Sequence, residues 1–546
     1  MRSPAAIGGL VGLVVLALTA CQSAQDLVRG RMTAEPDALD QLALERTLEG
    51  RGALLFAFGD FGGLDTDAME TVAVPWRLTS AALVLAHAPQ DVSPASLNRI
   101  MARYGFLHPA EIANWPADAA PPPSVGTLGV TLGVGGRSLP PVELQIGNIG
   151  CAACHAAPVY DGEGRPQPDR IWLGAPNPSL DLEAYTGDLF AALQAGLEQP
   201  DALIAATRRL HPDMSEREVR TLRDFVLPRV RARMARIDPA AGPLPFSNGL
   251  PGATNGVAAL KLQHGLLADD PDARARETGF TSIPHLADRN WRSALLWDGA
   301  YAPPGQARFR PMTRDDLTDD HRDALAAITA YFTVPSMGVS GRQAHASIPD
   351  VQATWRFVET VRPQPFPGRI DAARAARGQA VYARSCASCH GTYQESADGP
   401  RLSGFPNWAG DVGTDPVRAQ VMDRTLVDQV NASPLRRSIS AARTGVYAAP
   451  PLTGLWQSAP YLHNGSAPSL AALLGLEPRP ARFRVGGHAL DLERVGVAYP
   501  EGYQPYSEPA WVDTGQRGLG AGGHDAEFAD LSREQRLDLL EYLKRL

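Results

Sequence analysis

The chain has 546 residues, with 51 Lys+Arg against 59 Asp+Glu and a formal net charge of −8. At 44% hydrophobic and 20% charged residues it can bury a sizeable core, and its length corresponds to three or four domains at ~150 residues each. Only Lys261 and Lys544 are lysines, no run of five basic residues occurs, and a net-acidic chain without a basic patch is not built to hold nucleic acid.

In chain order, residues 1–20 read as an export signal. Arg2 supplies the positive start, residues 5–17 the apolar stretch, and Leu18-Thr19-Ala20 precede Cys21. The run is shorter than the ~20 apolar residues of a membrane span. Leu-Thr-Ala-Cys resembles a bacterial lipobox, which makes Cys21 the expected lipidation site and mature N-terminus. Gln22 in place of Asp points that lipoprotein to the outer membrane, facing the periplasm or the cell surface. The membrane is then met only through the anchor. Residues 21–35 follow as a tether and 36–120 as an N-terminal helical region, with apolar faces at Leu42, Leu44 and Leu48 and at Ala81, Leu83 and Leu85. Residues 125–148 alternate around glycines and predict a β-hairpin. Helices are expected over 180–197 and over 215–236, the latter opened by a capping box at Ser215 and Glu218. Residues 240–257 read as a loop and 319–332 as a further helix. The proline-bearing stretch that follows makes 341–370 a linker. Residues 371–384 predict a helix, and 531–546 an amphipathic one with Leu537, Leu540 and Leu543 on one side.

The four remaining cysteines form two copies of one pattern. These are Cys151-Ala152-Ala153-Cys154-His155 and Cys386-Ala387-Ser388-Cys389-His390. Cys-x-x-Cys-His is the attachment signature of c-type haem: two thioethers hold the porphyrin while the adjacent histidine ligates iron from below. A thioredoxin-like redox pair and half of a zinc site are the competing readings. Two copies without a stray cysteine, in an exported chain, favour two covalently bound haem c groups, ligated by His155 and His390. A glycine run at 518–523 matches a dinucleotide fingerprint in letters but lacks the strand and helix that such a site requires.

A helix entering the second motif and a terminal helix ending Glu541-Tyr542-Leu543 resemble a class I cytochrome c domain. The expected fold is therefore mainly α, with two such haem domains at 121–340 and 371–546, the N-terminal helical region and small β-hairpins. The helix at 319–332 would close the first domain. The chain resembles the bacterial di-haem cytochrome c peroxidase superfamily. The residues that carry this are both haem motifs and Ala459-Pro460-Tyr461-Leu462-His463-Asn464-Gly465-Ser466. Within the superfamily, Pro451-Leu452-Thr453-Gly454-Leu455-Trp456, Trp297-Asp298-Gly299 and Gly523-His524 resemble the branch of extracellular rubber oxygenases. The resemblance covers roughly residues 105 to 546.

That resemblance implies a division of labour, in which one haem meets peroxide or dioxygen and the other passes electrons. For the second haem, Glu477 stands where the peroxidases carry a methionine and the methylamine-utilisation branch a tyrosine. The rubber-oxygenase branch uses a histidine instead, so the resemblance implies His524, just before the terminal helix where class I cytochromes supply their distal ligand, with His463 the alternative. For the first haem, His211, His264 and His285 are possible sixth ligands that lie in no defensible motif, and the resemblance implies an open position at His155. Trp297 resembles the tryptophan between the two haems, where an indole relays electrons, and it reads equally as an ordinary buried aromatic. Phe309 falls loosely where the oxygenase branch has a distal phenylalanine. The expected activity is a haem-dependent oxidoreductase of peroxidase or oxygenase type, served by a redox partner protein or a small oxidisable substrate. The alternative is a pure electron carrier with both irons six-coordinate.

Overall fold

The computed structural model describes residues 47–59, 61, 74–120, 122, 126–135, 144–235, 245–336 and 341–546. The expectations placed on Cys21 and on 21–35 lie outside these residues. Helix makes up 42% and strand 14%, so the fold is mixed α/β rather than mainly α.

The elements that position the site are α1 (Leu48–Phe58), α2 (Trp76–His87), β1 (Val130–Gly135), β2 (Leu144–Ile149), β3 (Ala156–Tyr160) and β4 (Pro166–Leu173). They continue with α3 (Leu182–Glu198), α4 (Pro200–Leu210), α5 (Asp319–Ser336), α6 (Ile348–Thr360), α7 (Ala372–Ser385) and α8 (Arg533–Leu543). Local chemistry explains most starts. Asp371 caps α7 by accepting from the backbone N–H groups of Ala373 and Arg374. Ser532 and Gln535 form a reciprocal capping box on α8. Ser215 accepts from the Glu218 backbone at 3.1 Å, but the Glu218 carboxylate turns inward to Arg77 at 3.2 Å, so only half of that expected box forms. The hairpin over 125–148 is the antiparallel pair β1–β2.

Two helix pairs cross at glycines. A Cβ on Gly378 of α7 would lie 2.0 Å from the Asp538 carbonyl oxygen and 2.9 Å from Tyr542 Cβ of α8. A Cβ on Gly52 of α1 would lie 2.2 Å from the Ala353 carbonyl oxygen and 2.9 Å from Phe357 Cβ of α6. Only a missing side chain lets the backbones approach so closely. The second crossing corrects the expected boundaries. Helix α5 forms, but α6, inside the stretch expected to be a linker, is the one that crosses α1. Trp355, Phe357 and Val358 bury that helix in the core. Its Pro349 sits in the first turn, where no N–H donor is needed, so it starts the helix rather than breaking a connection. Described residues of α1, the first haem motif, α5 and α6 thus share one core, across what the sequence divides into N-terminal region, haem domain and linker. Helices α2, α3 and α4 pack with 216–234 into a bundle of their own around Leu78, Leu83, Leu203 and Val226, beside β1 and β2.

A repeat invisible in the letters appears in the backbone. Residues 282–301 and 448–467 share a series of left-handed positions and bridges at a constant offset of 166. Asp288 (φ 57°) matches Gly454 (φ 76°), Leu296 (φ 71°) matches Leu462 (φ 70°) and Gly299 (φ 61°) matches Gly465 (φ 69°). The isolated bridges Leu295–Tyr301 and Tyr461–Ala467 correspond, as do the pairings of Ser282 with Ala253 and of Ala448 with Ala409. The copies meet reciprocally: Ser282 N–H donates to the His463 carbonyl at 2.7 Å, and Ala448 N–H to the Trp297 carbonyl at 2.8 Å. Reciprocal contacts between equivalent positions define a local two-fold axis. Trp297 and His463, themselves equivalent, meet on it.

Candidate haem sites

At the second motif, α7 ends on Cys386, and a short helix, Ala387–His390, carries Cys389 and His390. The Nδ1 of His390 lies 2.8 Å from the Pro450 carbonyl oxygen, which fixes the ring and leaves Nε2 free to ligate. His524 faces it. The two imidazole centres are 6.1 Å apart with planes at 23°. Two imidazoles gripping one iron from opposite sides, each through a bond of ~2 Å, would put their centres about 6 Å apart. Burial pushes the pKa of both rings down to about 4 and so keeps them neutral, the form that binds metal. Residues 386–390 and His524 therefore fit a six-coordinate haem c. The glycine run at 518–523 serves this segment: Asn464 donates to the carbonyls of Gly518 and Gly520 at 3.0 and 3.1 Å, and Gly523, at φ 127°, turns the chain into His524. Glu477 is tied to Ser469 and Arg494 instead.

At the first motif, Cys151–Cys154 forms a short helix and His155 leads into β3. Pro284, the repeat partner of Pro450, has its backbone against His155, although His155 Nδ1 completes no hydrogen bond. Ala152 and Ala153 are buried, and Gly129 at φ 80° lets the chain before β1 touch Ala153. Burial drives the Cys151 and Cys154 thiols up to about 12, the reverse of the lowered pKa that a redox-active pair needs. Among the described residues no group of three or more His, Cys, Asp or Glu is placed to hold a metal ion, so the zinc reading finds no ligand set. Residues 151–155 with Pro284 fit the attachment side of a second haem c.

No histidine ring pair with His155 is seen among the described residues. His285 is its electrostatic neighbour, but Nε2 of His285 meets Gln457 at 3.2 Å and Nδ1 accepts from Ala287 N–H at 3.0 Å. His211 bonds Ser80, and His264 stacks on Tyr331.

Between the sites, the Trp297 and His463 ring centres are 6.5 Å apart, edge to face. Trp297 Nε1 donates to the Ser282 carbonyl at 3.2 Å, and Phe309 closes over Gly299. His463 does not present a nitrogen to iron. Its Nδ1 lies 3.3 Å from Thr414 Oγ1 and its Nε2 3.1 Å from the Tyr447 hydroxyl. Because Tyr447 donates its own proton to the Asp415 carbonyl, His463 Nε2 must be the donor. Both nitrogens are spoken for, which removes His463 as the competing axial ligand. The sequence reading missed Asp298 and Arg418, a fully buried ion pair at 2.9 Å beside this junction; only the Trp-Asp-Gly letters hinted at it.

A family model described as RoxA-like, cytochrome c-like matches residues 446–484. One described as cytochrome C oxidase, cbb3-type, subunit III, matches residues 373–453. Two uncharacterized proteins of Sinorhizobium fredii are similar to the chain. Protein y4iM is 28% identical over 48% of this chain and 64% of its own length; y4iJ is 27% identical over 54% and 58%. The chain thus spans less than two thirds of either relative. Together with the geometry around His390, the family matches support a c-type cytochrome carrying covalently bound haem c.

Proposed function

We propose that the chain is an exported, lipid-anchored di-haem c-type cytochrome that acts as an oxidoreductase on peroxide or dioxygen. The single observation that carries this reading is the asymmetry of the repeat. Each copy brings a proline against a Cys-x-x-Cys-His histidine, yet His524 completes a pair at His390 while no histidine ring among the described residues pairs with His155. A haem with two histidine ligands exchanges electrons; one with a free sixth position also binds a small oxidant. His155 and His390 would each hold an iron, His524 would close the second, and Trp297 with His463 would bridge the two. When bound, the haems supply the redox chemistry. The chain supplies burial, axial nitrogens and the aromatic contact between the sites.

The test is low-temperature EPR with optical spectra of the isolated holoprotein, before and after dithionite and carbon monoxide. One low-spin haem plus one that takes up carbon monoxide is expected. Two low-spin haems indifferent to carbon monoxide would make the chain an electron carrier. Turnover of hydrogen peroxide against that of an unsaturated hydrocarbon under dioxygen then separates peroxidase from oxygenase. Cys21→Ala should move the protein from the membrane fraction to the soluble one; continued membrane fractionation would refute the anchor.

A further inference from the structure

Several tyrosines lie together where the two units meet, and neither haem site uses them. Strand β3 begins immediately after His155 and ends at Tyr160, which is buried. The Tyr160 ring is 6.2 Å from Trp456, a side chain at the centre of the second unit's core. A segment of the second unit, residues 486–506, whose strands Ala489–Asp491 and Gly496–Ala498 pair antiparallel, lies against the β3–β4 hairpin, joined by Leu490 N–H donating to the Gly164 carbonyl at 2.7 Å. Tyr506 of that segment packs on the core that also holds Cys151 and Leu286. Its hydroxyl is 2.8 Å from Ser179 Oγ, which also accepts Gly487 N–H at 2.8 Å. Tyr499 and Tyr503, half-buried at the surface, donate to the carbonyls of Gly486 and Gly487, both at 2.6 Å. Gly487, bonded to Ser179 Oγ through its N–H and to the Tyr503 hydroxyl through its carbonyl, ties Tyr506 to Tyr503, and the Leu490–Gly164 bond sets this segment against the hairpin that carries Tyr160.

A tyrosine gives up an electron only if its proton can leave. The hydroxyls of Tyr301, Tyr331 and Tyr461 are buried without a hydrogen-bond partner, which makes them dead ends for a proton. Tyr499 and Tyr503 differ, because both reach solvent. Burial raises the Tyr499 phenol overall, and the Arg484 guanidinium, 4.3 Å from its ring centre, works against that rise.

We infer that Tyr160, Tyr506, Tyr499 and Tyr503 form an exit path by which oxidising equivalents from the first haem site reach the surface, where an external phenolic or enolic reductant quenches them. The inference rests on the reading of the first site as the reactive one. With hydrogen peroxide as oxidant the balance is one peroxide and two tyrosines giving two waters and two tyrosyl radicals. Each tyrosine passes one electron inward to the haem and one proton outward to water. The reductant then returns a hydrogen atom to each.

The experiment treats the haem-loaded protein with hydrogen peroxide and no reductant, and follows the haem optical spectrum and, by peptide mass spectrometry, tyrosine oxidation and dityrosine. Wild type, Tyr160→Phe and Tyr185→Phe are compared. Tyr185 belongs to the helical bundle and serves as control. Oxidation should concentrate on Tyr499 and Tyr503, fall several-fold in Tyr160→Phe and be unchanged in Tyr185→Phe. A haem that responds to peroxide while oxidation falls elsewhere, or ignores Tyr160→Phe, overturns the path and leaves the reactive site standing. A haem spectrum indifferent to peroxide overturns both.

Discussion

Gly378→Ala tests the helix crossing that holds the second haem motif. The new Cβ would sit 2.0 Å from the Asp538 carbonyl oxygen, whereas carbon and carbonyl oxygen in close contact keep ~3.3 Å or more. Helices α7 and α8 must therefore part by more than an ångström, loosening Leu539, Leu540 and Tyr542, all buried in the same core. Two terms oppose. Alanine in a helix interior is favoured over glycine by ~1 kcal/mol. Overpacking costs ~1–3 kcal/mol, and more where the obstacle is rigid backbone. With the steric term at or beyond its upper end, the net loss is about 2 kcal/mol, or ~4–8 °C in melting temperature for a unit of this size. Gly52→Ala should behave likewise, since its Cβ would meet the Ala353 carbonyl at 2.2 Å. Gly187→Ala, inside α3, is the control: nothing lies within 4 Å of its Cβ, so only the propensity term acts and the variant gains ~0.5–1 kcal/mol. Calorimetry on the three holoproteins reads all of this. If Gly378→Ala melts at or above wild type, the crossing is not close-packed and the reasoning fails.

Arg418→Met leaves Asp298 charged and buried, and should cost ~3–5 kcal/mol, most of it recovered in the Asp298→Asn/Arg418→Met double variant; denaturant titration decides, and a silent single variant would contradict the burial. His524→Ala should turn the second haem high-spin and open to carbon monoxide while His463→Ala leaves it low-spin, and EPR showing the opposite would reassign the ligand. Asp316, bonded by Thr313 and Arg310, has its pKa pushed down to about 2. A depressed carboxylate stabilises the fold above its unfolded value of ~3.9 and loses that as pH falls through its folded value. The melting difference between wild type and Asp316→Asn should therefore be constant from neutral pH to about 5 and close toward pH 2.

What could be read in the sequence was local. Asp371, Ser532 and Gln535 announce helices α7 and α8 because caps lie within one turn of what they stabilise. The haem motifs are legible because their spacing is itself the chemistry. The pairing of α1 with α6 was not, because it joins segments some three hundred residues apart through Gly52. A glycine inside a helix reads as a weakness until the partner backbone is seen. Pro349 misled in the same way, a helix start in the letters of a linker. The repeat escaped because it is conserved in backbone angles: Pro, Leu, Leu and Gly are the only letters shared between 284–299 and 450–465.

The two copies keep one frame and fill it with different chemistry. At the position after Trp297 stands Asp298, ionically bound to Arg418; at the position after His463 stands Asn464, a neutral amide that gathers the glycine run. That exchange of one carboxylate for one amide decides what each copy can anchor. A carboxylate accepts only, and draws in a cation. An amide also donates, and here it fixes two carbonyls of the segment that ends at His524, whose backbone N–H is secured by the Val412 carbonyl at 2.9 Å. Among the described residues, the second copy alone thus holds a chain segment that brings a histidine ring against the histidine of its Cys-x-x-Cys-His motif. By the same argument, Asn464→Asp would repel the Gly518 and Gly520 carbonyls, loosen His524 and bring the second site closer to the state of the first.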